Sequence, residues 1–158
     1  MATIPQLRGY LGDLSAILWN FGAVFPTPAL DPYDDGSYGF GFTALLGGSA
    51  DPKPASMKMM ETWEPTRAGQ YTRVEYGYDF VEYPLDRRRA FHRHDEEHFL
   101  REFGVAVHEH CEEVLGQPSC DHYMGLPVDG YEAIRRFTIL WGQSQPLGCS
   151  ALRCMSFA

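Results

Sequence analysis

The stretch Gln70-Tyr-Thr-Arg-Val-Glu-Tyr-Gly-Tyr-Asp-Phe-Val-Glu-Tyr83 carries the clearest structural signal in the chain. Its residues alternate in character, which predicts one face with Thr72, Val74, Tyr76, Tyr78 and Phe80 and an opposite face with Arg73, Glu75 and Asp79. Alternation with a period of two is typical of a β-strand with one buried and one solvent-facing side. The stretch therefore predicts a long strand of a half-exposed sheet.

The segments around this strand predict two helices and further strands. Apolar residues at three- and four-residue steps indicate an amphipathic helix over residues 1–21, and the same pattern predicts a second helix over 129–141. Residues 22–37 are rich in Pro, Gly and Asp, which favours a loop. Residues 38–46 and 57–64 are strand candidates.

These elements predict one α+β domain over residues 1–158, with a mainly antiparallel sheet, an N-terminal helix and a C-terminal helix. The sheet-rich core would span residues 38–128 and include a short helix with Asp95 as its N-cap. Residues 146–158 would form a tail. At 158 residues and 44% hydrophobic content, the chain is long enough to bury a core of its own.

Charge and hydropathy limit the partners that the chain can have. Its 21 acidic and 13 basic residues give a net charge of −8, so any binding to RNA is expected to be weak and to need a local patch. No stretch approaches the roughly 20 apolar residues of a membrane span, and the first residues lack the pattern of a secretory signal. We therefore expect a cytoplasmic protein that does not bind membranes.

The expected compartment also predicts the chemical state of the cysteines. In a reducing compartment the four cysteines are expected to be free thiols or metal ligands rather than disulfides. Cys149 and Cys154 have no histidine nearby in the sequence, and we expect them to be packing or tail residues.

All six histidines fall between residues 92 and 122, together with two of the cysteines: His92, His94, His98, His108, His110 and His122, with Cys111 and Cys120. Imidazole can be a neutral ligand or a proton carrier near neutral pH. Chemistry is therefore expected in this window.

Two ligand pairs in the window predict a metal site. His108-x-His110 and Cys120-x-His122 would each present two donors on one face of a strand, and a hairpin could bring the four together around zinc. Cys111 would face away from such a site. A site with four protein ligands would be structural, whereas three ligands and an open position would activate water with Glu109, Glu112 or Glu113 as the base. Packing without any metal explains the same spacing.

A second group lies earlier in the window. His92 and His94 could act as acid and base of a metal-free ribonuclease, with a neighbouring arginine run stabilising the phosphorane. The candidate substrate-binding residues are therefore Arg87, Arg88, Arg89, His92 and His94. The alternative is that these residues are solvated polar side chains at a junction between a strand and a helix.

The order of these features resembles that of small toxin components of prokaryotic toxin–antitoxin pairs. The resemblance covers residues 71–141 and rests on the aromatic strand from Tyr71 to Phe80, the Arg/His-rich extension, the later His-x-His strand and the closing helix. It implies an RNA-directed or otherwise growth-inhibiting activity and a cognate protein partner. His108 and His110 are the residues to which it assigns a role.

Two classes of function stay open at this point. The first is a toxin-like hydrolase or nuclease with His108, His110 and Glu112 as catalytic residues and a divalent-metal site. The second is a non-enzymatic protein-interaction domain, whose His/Cys cluster is structural through zinc or simple packing.

Overall fold

The structure is a computed structural model that describes residues 1–93, 107–112, 120–123, 127–141 and 154–155. Its elements in chain order are helix α1 (Ile4–Asn20), strands β1 (Asp31–Pro32), β2 (Tyr38–Leu46), β3 (Ala55–Arg67), β4 (Gln70–Glu82), β5 (Arg87–Arg93), β6 (Val107–Glu112) and β7 (Cys120–Tyr123), helix α2 (Gly130–Trp141) and strand β8 (Cys154–Met155). A single 3₁₀ turn, Tyr83–Leu85, joins β4 to β5.

Each strand pairs in antiparallel fashion with the next, so the eight strands form one sheet in the order of the sequence. This arrangement confirms the predicted α+β domain, with a helix towards either end of the chain. The predicted loop 22–37 contains the short strand β1, and part of the predicted tail joins the sheet edge as β8. The helix predicted at Asp95 lies outside the described residues. No helix in the described part of the chain is long and apolar enough to cross a membrane.

Helix α1 begins at a capping box, in which the Gln6 side chain accepts a hydrogen bond of 2.8 Å from the backbone N–H of Thr3. Four leucines on one side of the helix are buried: Leu7, Leu11, Leu14 and Leu18. Their spacing of three and four residues is the amphipathic pattern that the sequence predicted. The leucine stripe fixes which side of α1 faces the sheet.

The aromatic side of β4 forms the centre of the core. Tyr76, Tyr78 and Phe80 are fully buried, and Phe80 stacks on Phe137 of α2 with ring centroids 5.6 Å apart. Leu11, Leu14 and Leu18 of α1 belong to the same cluster of buried residues. We call the side of the sheet with Tyr76, Tyr78 and Phe80 the helix-covered face, and the side with Asp79 the distal face.

A β-bulge changes the predicted alternation at the start of β4. The register of β3 and β4 shifts between Thr62 and Trp63, so that Thr62 pairs with Glu75 and Trp63 with Arg73. The extra residue on β4 brings Arg73 to the helix-covered face, where its guanidinium lies 4.5 Å from the centroid of the Tyr76 ring. The prediction that Arg73 faces solvent is therefore wrong, because the alternation could not reveal the bulge.

Candidate functional site

Strands β4, β5 and β6 bring polar residues together on the distal face. Across β5 and β6 the register pairs His92 with His108, Ala90 with His110 and Arg88 with Glu112, while Asp79 of β4 pairs with Ala90. Directly opposed residues of an antiparallel pair lie on the same face of a sheet. We call five of these residues the distal cluster: Asp79, Arg88, His92, His110 and Glu112. His108 occupies a register position on the same face.

Hydrogen bonds connect the distal cluster around Asp79. The Nε2 atom of His92 lies 3.0 Å from Asp79 Oδ2, and Arg88 donates through Nε to Asp79 Oδ1 at 2.8 Å. Arg88 also donates through Nη1 to Glu112 Oε1 at 2.6 Å. Arg88 thus joins two carboxylates from different strands, and Asp79 holds one edge of the His92 ring.

The two described imidazoles of the cluster are in contact. The ring centroids of His92 and His110 lie 4.8 Å apart with an interplanar angle of 64°. The His92 side chain is 15% exposed, so it is largely buried but still accessible to solvent. Two imidazoles at this distance can address the same small group from two sides, one as a proton donor and the other as an acceptor.

The charge state of Asp79 is fixed by its neighbours. Desolvation by itself would raise the pKa of the Asp79 carboxyl, but the hydrogen bond and charge of His92 and the guanidinium of Arg88 outweigh it and lower that pKa to about 2. Asp79 is therefore a carboxylate throughout the neutral range. A carboxylate that holds one nitrogen of an imidazole orients the ring and stabilises its protonated form.

Gly77 pairs directly with His92 on the distal face. A Cβ atom built at Gly77 would lie 3.7 Å from His92 Cδ2, an ordinary van der Waals distance, and 3.2 Å from Met60 Cγ, which is a tight contact. A side chain at this position would therefore crowd Met60 rather than the His92 ring.

The arginine run is divided between the two faces of the sheet. Arg87 and Arg89 are buried, with exposed fractions of 2% and 5%. Arg87 donates to Glu82 Oε2 at 2.8 Å and to the carbonyl oxygen of Leu140 at 2.8 Å, which ties β5 to α2. Neither residue can form the predicted solvent-facing phosphate patch, and Arg88 alone lies on the distal face. His94, also predicted to bind substrate, lies outside the described residues.

The predicted zinc ligands are separated by the register. Cys120 pairs with Cys111 and His122 pairs with Glu109, so these two positions belong to the helix-covered face. His108 and His110 belong to the distal face. The four residues are therefore not brought to one face. The register of β6 against β7 is one residue away from the register that would place both ligand pairs on the same face. The prediction that Cys111 faces away from His110 is confirmed, and Cys111 is a buried free thiol.

Within the described residues, no three side chains of His, Cys, Asp or Glu surround a common position that could hold a metal ion. Of the predicted catalytic residues, His110 and Glu112 are in the distal cluster, and His108 is beside it in the register. The sequence patterns did not indicate Asp79 as a candidate site residue. Its place on the solvent-facing side of β4 was predicted, but the strand that would pair with it was not.

A second polar cluster lies on the helix-covered face. The carboxylate of Glu61, 1% exposed, accepts a hydrogen bond of 2.6 Å from Tyr10 Oη and one of 2.8 Å from Trp63 Nε1. Tyr78 Oη also donates to it, and Arg73 forms an ion pair with it at 3.4 Å. Burial raises the pKa of the Glu61 carboxyl, although Arg73 and the hydrogen bonds act in the opposite direction. This cluster connects α1 to β3 and β4.

The chain matches no protein-family model, no curated protein and no solved structure. Its function must therefore be inferred from the distal cluster and its surroundings.

Proposed function

We propose that the protein is a small histidine-dependent ribonuclease of the toxin type, with the distal cluster as its active site. One observation carries the proposal: the His92 and His110 rings lie 4.8 Å apart, and Asp79 holds the His92 ring. A pair of imidazoles, one of them oriented by a carboxylate, is suited to general acid–base catalysis near neutral pH.

The reaction requires only the RNA and the two imidazoles. His110, as the base, removes the proton from a ribose 2′-hydroxyl, and the 2′-oxygen forms a bond to the adjacent phosphorus. The bond from phosphorus to the 5′-oxygen breaks, and protonated His92 gives its proton to the departing oxygen. The products are a 2′,3′-cyclic phosphate and a 5′-hydroxyl. Asp79 orients the His92 ring for this proton transfer.

The charges of the distal face are compatible with a phosphate once an imidazole is protonated. Arg88 is engaged by Asp79 and Glu112, so its role is to position the two carboxylates rather than to grip the substrate. Lys58 is exposed and pairs directly with Asp79 across β3 and β4. It is therefore a cation of the distal face that can contact a phosphate of the RNA.

Incubation of the purified protein with a short RNA in the presence of EDTA tests the proposal. We expect cleavage that yields 2′,3′-cyclic phosphate and 5′-hydroxyl ends. His110→Gln and His92→Gln should each slow cleavage by at least about a hundredfold, because each removes one proton-transfer group. Arg135→Ala, in a 60% exposed side chain on α2, is the control and should cleave at the wild-type rate.

The outcome that contradicts the proposal is equally specific. Cleavage that needs a divalent cation and survives both glutamine substitutions would assign the reaction to another site. Lack of cleavage over a range of RNA sequences and pH values would remove the enzymatic proposal.

The second candidate is a non-enzymatic interaction domain that binds a protein partner. It is favoured by a groove of about 750 Å³ between α1 and the segment 25–30, whose walls include Leu11, Trp19 and Phe25. Trp19 is 72% exposed, so a large apolar side chain at this groove is accessible to a partner. A partner bound in this groove would still bind when His92 and His110 are replaced, whereas RNA cleavage would be lost.

A further inference from the structure

A pocket at one end of the helix-covered face shares no residue with the distal cluster. Its volume of about 500 Å³ falls in the usual range of sites that bind small molecules. The first turns of α1, the start of α2 and the strands β3, β4 and β5 contribute to its walls. We call it the aromatic pocket, because three aromatic rings line it together with two arginines: Tyr10, Trp63, Tyr131, Arg73 and Arg93.

The three rings form an apolar corner of the aromatic pocket. Tyr10 is the middle ring, with its centroid 6.5 Å from that of Trp63 and 5.1 Å from that of Tyr131, both in edge-to-face geometry. Tyr10 Oη and Trp63 Nε1 donate hydrogen bonds of 2.6 Å and 2.8 Å to Glu61. Tyr131 Oη donates to Asp13 at 3.1 Å. The rings are therefore held in place before a ligand binds, and they can pack against a flat apolar group.

The guanidinium of Arg73 has one edge without a partner in the described part of the chain. Its Nη1 atom donates to Tyr78 Oη at 2.6 Å and lies 3.4 Å from Glu61 Oε1. Its plane lies over the Tyr76 ring, 4.5 Å from the centroid. Nε and Nη2 form no hydrogen bond to any described residue, and the side chain is 14% exposed. Because the parallel N–H groups of this edge match the two oxygens of a carboxylate, Nε and Nη2 form a fork that is already oriented for that group.

The charges around the aromatic pocket favour a ligand with a single negative charge. Arg73 and Arg93 line the pocket, and Asp129 is the one acidic side chain among its described lining residues. Asp129 accepts a hydrogen bond of 2.8 Å from the N–H of Glu132 at the start of α2. Glu61 lies next to the lining residues, 1% exposed, and pairs with Arg73. A phosphate dianion would be repelled by both carboxylates, whereas a neutral ligand would leave the fork of Arg73 without a charged acceptor.

We propose that the aromatic pocket binds a small aromatic carboxylate. The carboxylate accepts two hydrogen bonds from Nε and Nη2 of Arg73, and the aromatic part of the ligand packs against the three rings of the pocket. This inference does not rest on the ribonuclease proposal, because the pocket and the distal cluster consist of different residues on opposite faces of the sheet.

A purely structural role is the competing explanation for these residues. The hydrogen bonds to Glu61 account for the positions of Tyr10, Trp63 and the Nη1 end of Arg73. They involve neither the Nε–Nη2 edge of Arg73 nor the open volume of the pocket. A structural role therefore predicts no preference among small ligands, whereas the proposed site distinguishes them by charge and by the shape of the anionic group.

The first experiment titrates the wild-type, full-length protein, labelled with fluorotryptophan, with 2-naphthoate and follows fluorine NMR. The chain has three tryptophans, so three resonances are expected: Trp19, Trp63 and Trp141. Each can be assigned with a Trp→Phe variant. We expect a saturable shift of the Trp63 resonance alone, because Trp63 is the one tryptophan that lines the pocket. 2-Naphthamide and 2-naphthyl phosphate, which share the ring but not the single charge, should each bind at least about tenfold more weakly.

Four results of this titration would overturn the proposal. They are equal affinity for 2-naphthoate and 2-naphthamide, tighter binding of 2-naphthyl phosphate, a shift at Trp19 instead of Trp63, and no saturable binding of 2-naphthoate.

A pair of variants tests the fork of Arg73. Arg73→Lys keeps the positive charge but lacks the guanidinium edge, so it should bind 2-naphthoate at least about tenfold more weakly. Arg135→Lys makes the same change in an exposed residue of α2 that does not line the pocket, and it should keep the wild-type affinity. Wild-type affinity in Arg73→Lys would contradict the assignment. The comparison of the three probes on the wild-type protein decides the matter even if Arg73→Lys fails to fold.

Discussion

The carboxylate of Asp79 on β4 lies 3.0 Å from Nε2 of His92 on β5, on the side of the sheet away from the two helices. This contact connects the alternating strand β4 to the histidine-rich segment of the chain. It also places an oriented imidazole beside a second one, His110. The proposed chemistry and part of the stability therefore depend on the same pair of residues.

The first prediction concerns stability in acid. The pKa of Asp79 is lowered from 3.8 to about 2, so its carboxylate contributes stability that is present above pH 3.8 and is lost as the pH falls through about 2. Asp79→Asn should lower the free energy of unfolding by about 2 kcal/mol at pH 6, and the difference from wild type should narrow between pH 4 and pH 2. Urea unfolding at a series of pH values measures it.

Asp34→Asn is the control for this measurement, because Asp34 is an exposed residue on a loop. It should change the free energy of unfolding by less than about 0.5 kcal/mol at any of these pH values. A difference between wild type and Asp79→Asn that does not depend on pH would show that the ion pairs of Asp79 do not stabilise the fold.

The second prediction concerns the buried carboxylate of Glu61. Glu61→Ala should destabilise the protein by about 3 kcal/mol, because it leaves the partly buried donors of Tyr10, Trp63 and Arg73 without this acceptor. Denaturant unfolding followed by tryptophan fluorescence measures the loss. Glu64→Ala, in an exposed residue of the same strand, should cost less than about 0.5 kcal/mol. Equal effects of the two substitutions would contradict the structural role of Glu61.

The third prediction uses two glycines in helices. A Cβ atom at Gly130 would lie 2.5 Å from Tyr10 Oη and 2.9 Å from Leu14 Cδ1, so Gly130→Ala should destabilise the protein by about 1–3 kcal/mol. A Cβ atom at Gly12 would meet nothing within 4 Å, so Gly12→Ala should stabilise it by up to about 1 kcal/mol. Thermal unfolding of the two variants checks the packing of α1 against α2. Stabilisation by both substitutions would mean that the two helices are not packed this closely.

The fourth prediction concerns binding to RNA. With a net charge of −8, the protein should bind RNA weakly, and its affinity should fall steeply as salt is added. Lys58→Gln should weaken binding for all RNA sequences alike and lower the slope of log affinity against log salt by about 1. Fluorescence anisotropy with a labelled RNA at several salt concentrations measures both quantities. Tight binding that ignores salt would contradict a contact made mainly with phosphates.

The sequence predicts much of this fold because periodicity reports directly on local structure. The alternation of Tyr76, Tyr78 and Phe80 predicted the buried face of β4, and the leucine stripe predicted α1. Periodicity does not record the extra residue of a bulge, and for that reason Arg73 was assigned to the wrong face. Local patterns therefore predict helices and strands more reliably than they predict which face of the sheet a residue occupies beside a β-bulge.

The candidate site was harder to predict, because it depends on register. Moving one strand by one residue exchanges its two faces, so the spacing of His108, His110, Cys120 and His122 could not decide whether they meet. The histidine window includes His92 and His110 of the distal cluster, but Asp79 lies outside it by 13 residues and reaches His92 only through the pairing of β4 with β5. The arginine run was read as exposed, whereas Glu82 and the α2 carbonyl of Leu140 make burial of Arg87 possible.

The pH dependence of RNA cleavage in EDTA tests the central claim most directly. Two imidazoles that act as acid and base predict a bell-shaped profile for kcat/KM, with one limb below and one limb above a maximum near neutral pH. His110→Gln should abolish the acidic limb together with at least about 99% of the rate, while Arg135→Ala should keep the wild-type profile. A wild-type profile retained by His110→Gln, or no cleavage at any pH, would contradict the assignment of the distal cluster as an acid–base active site.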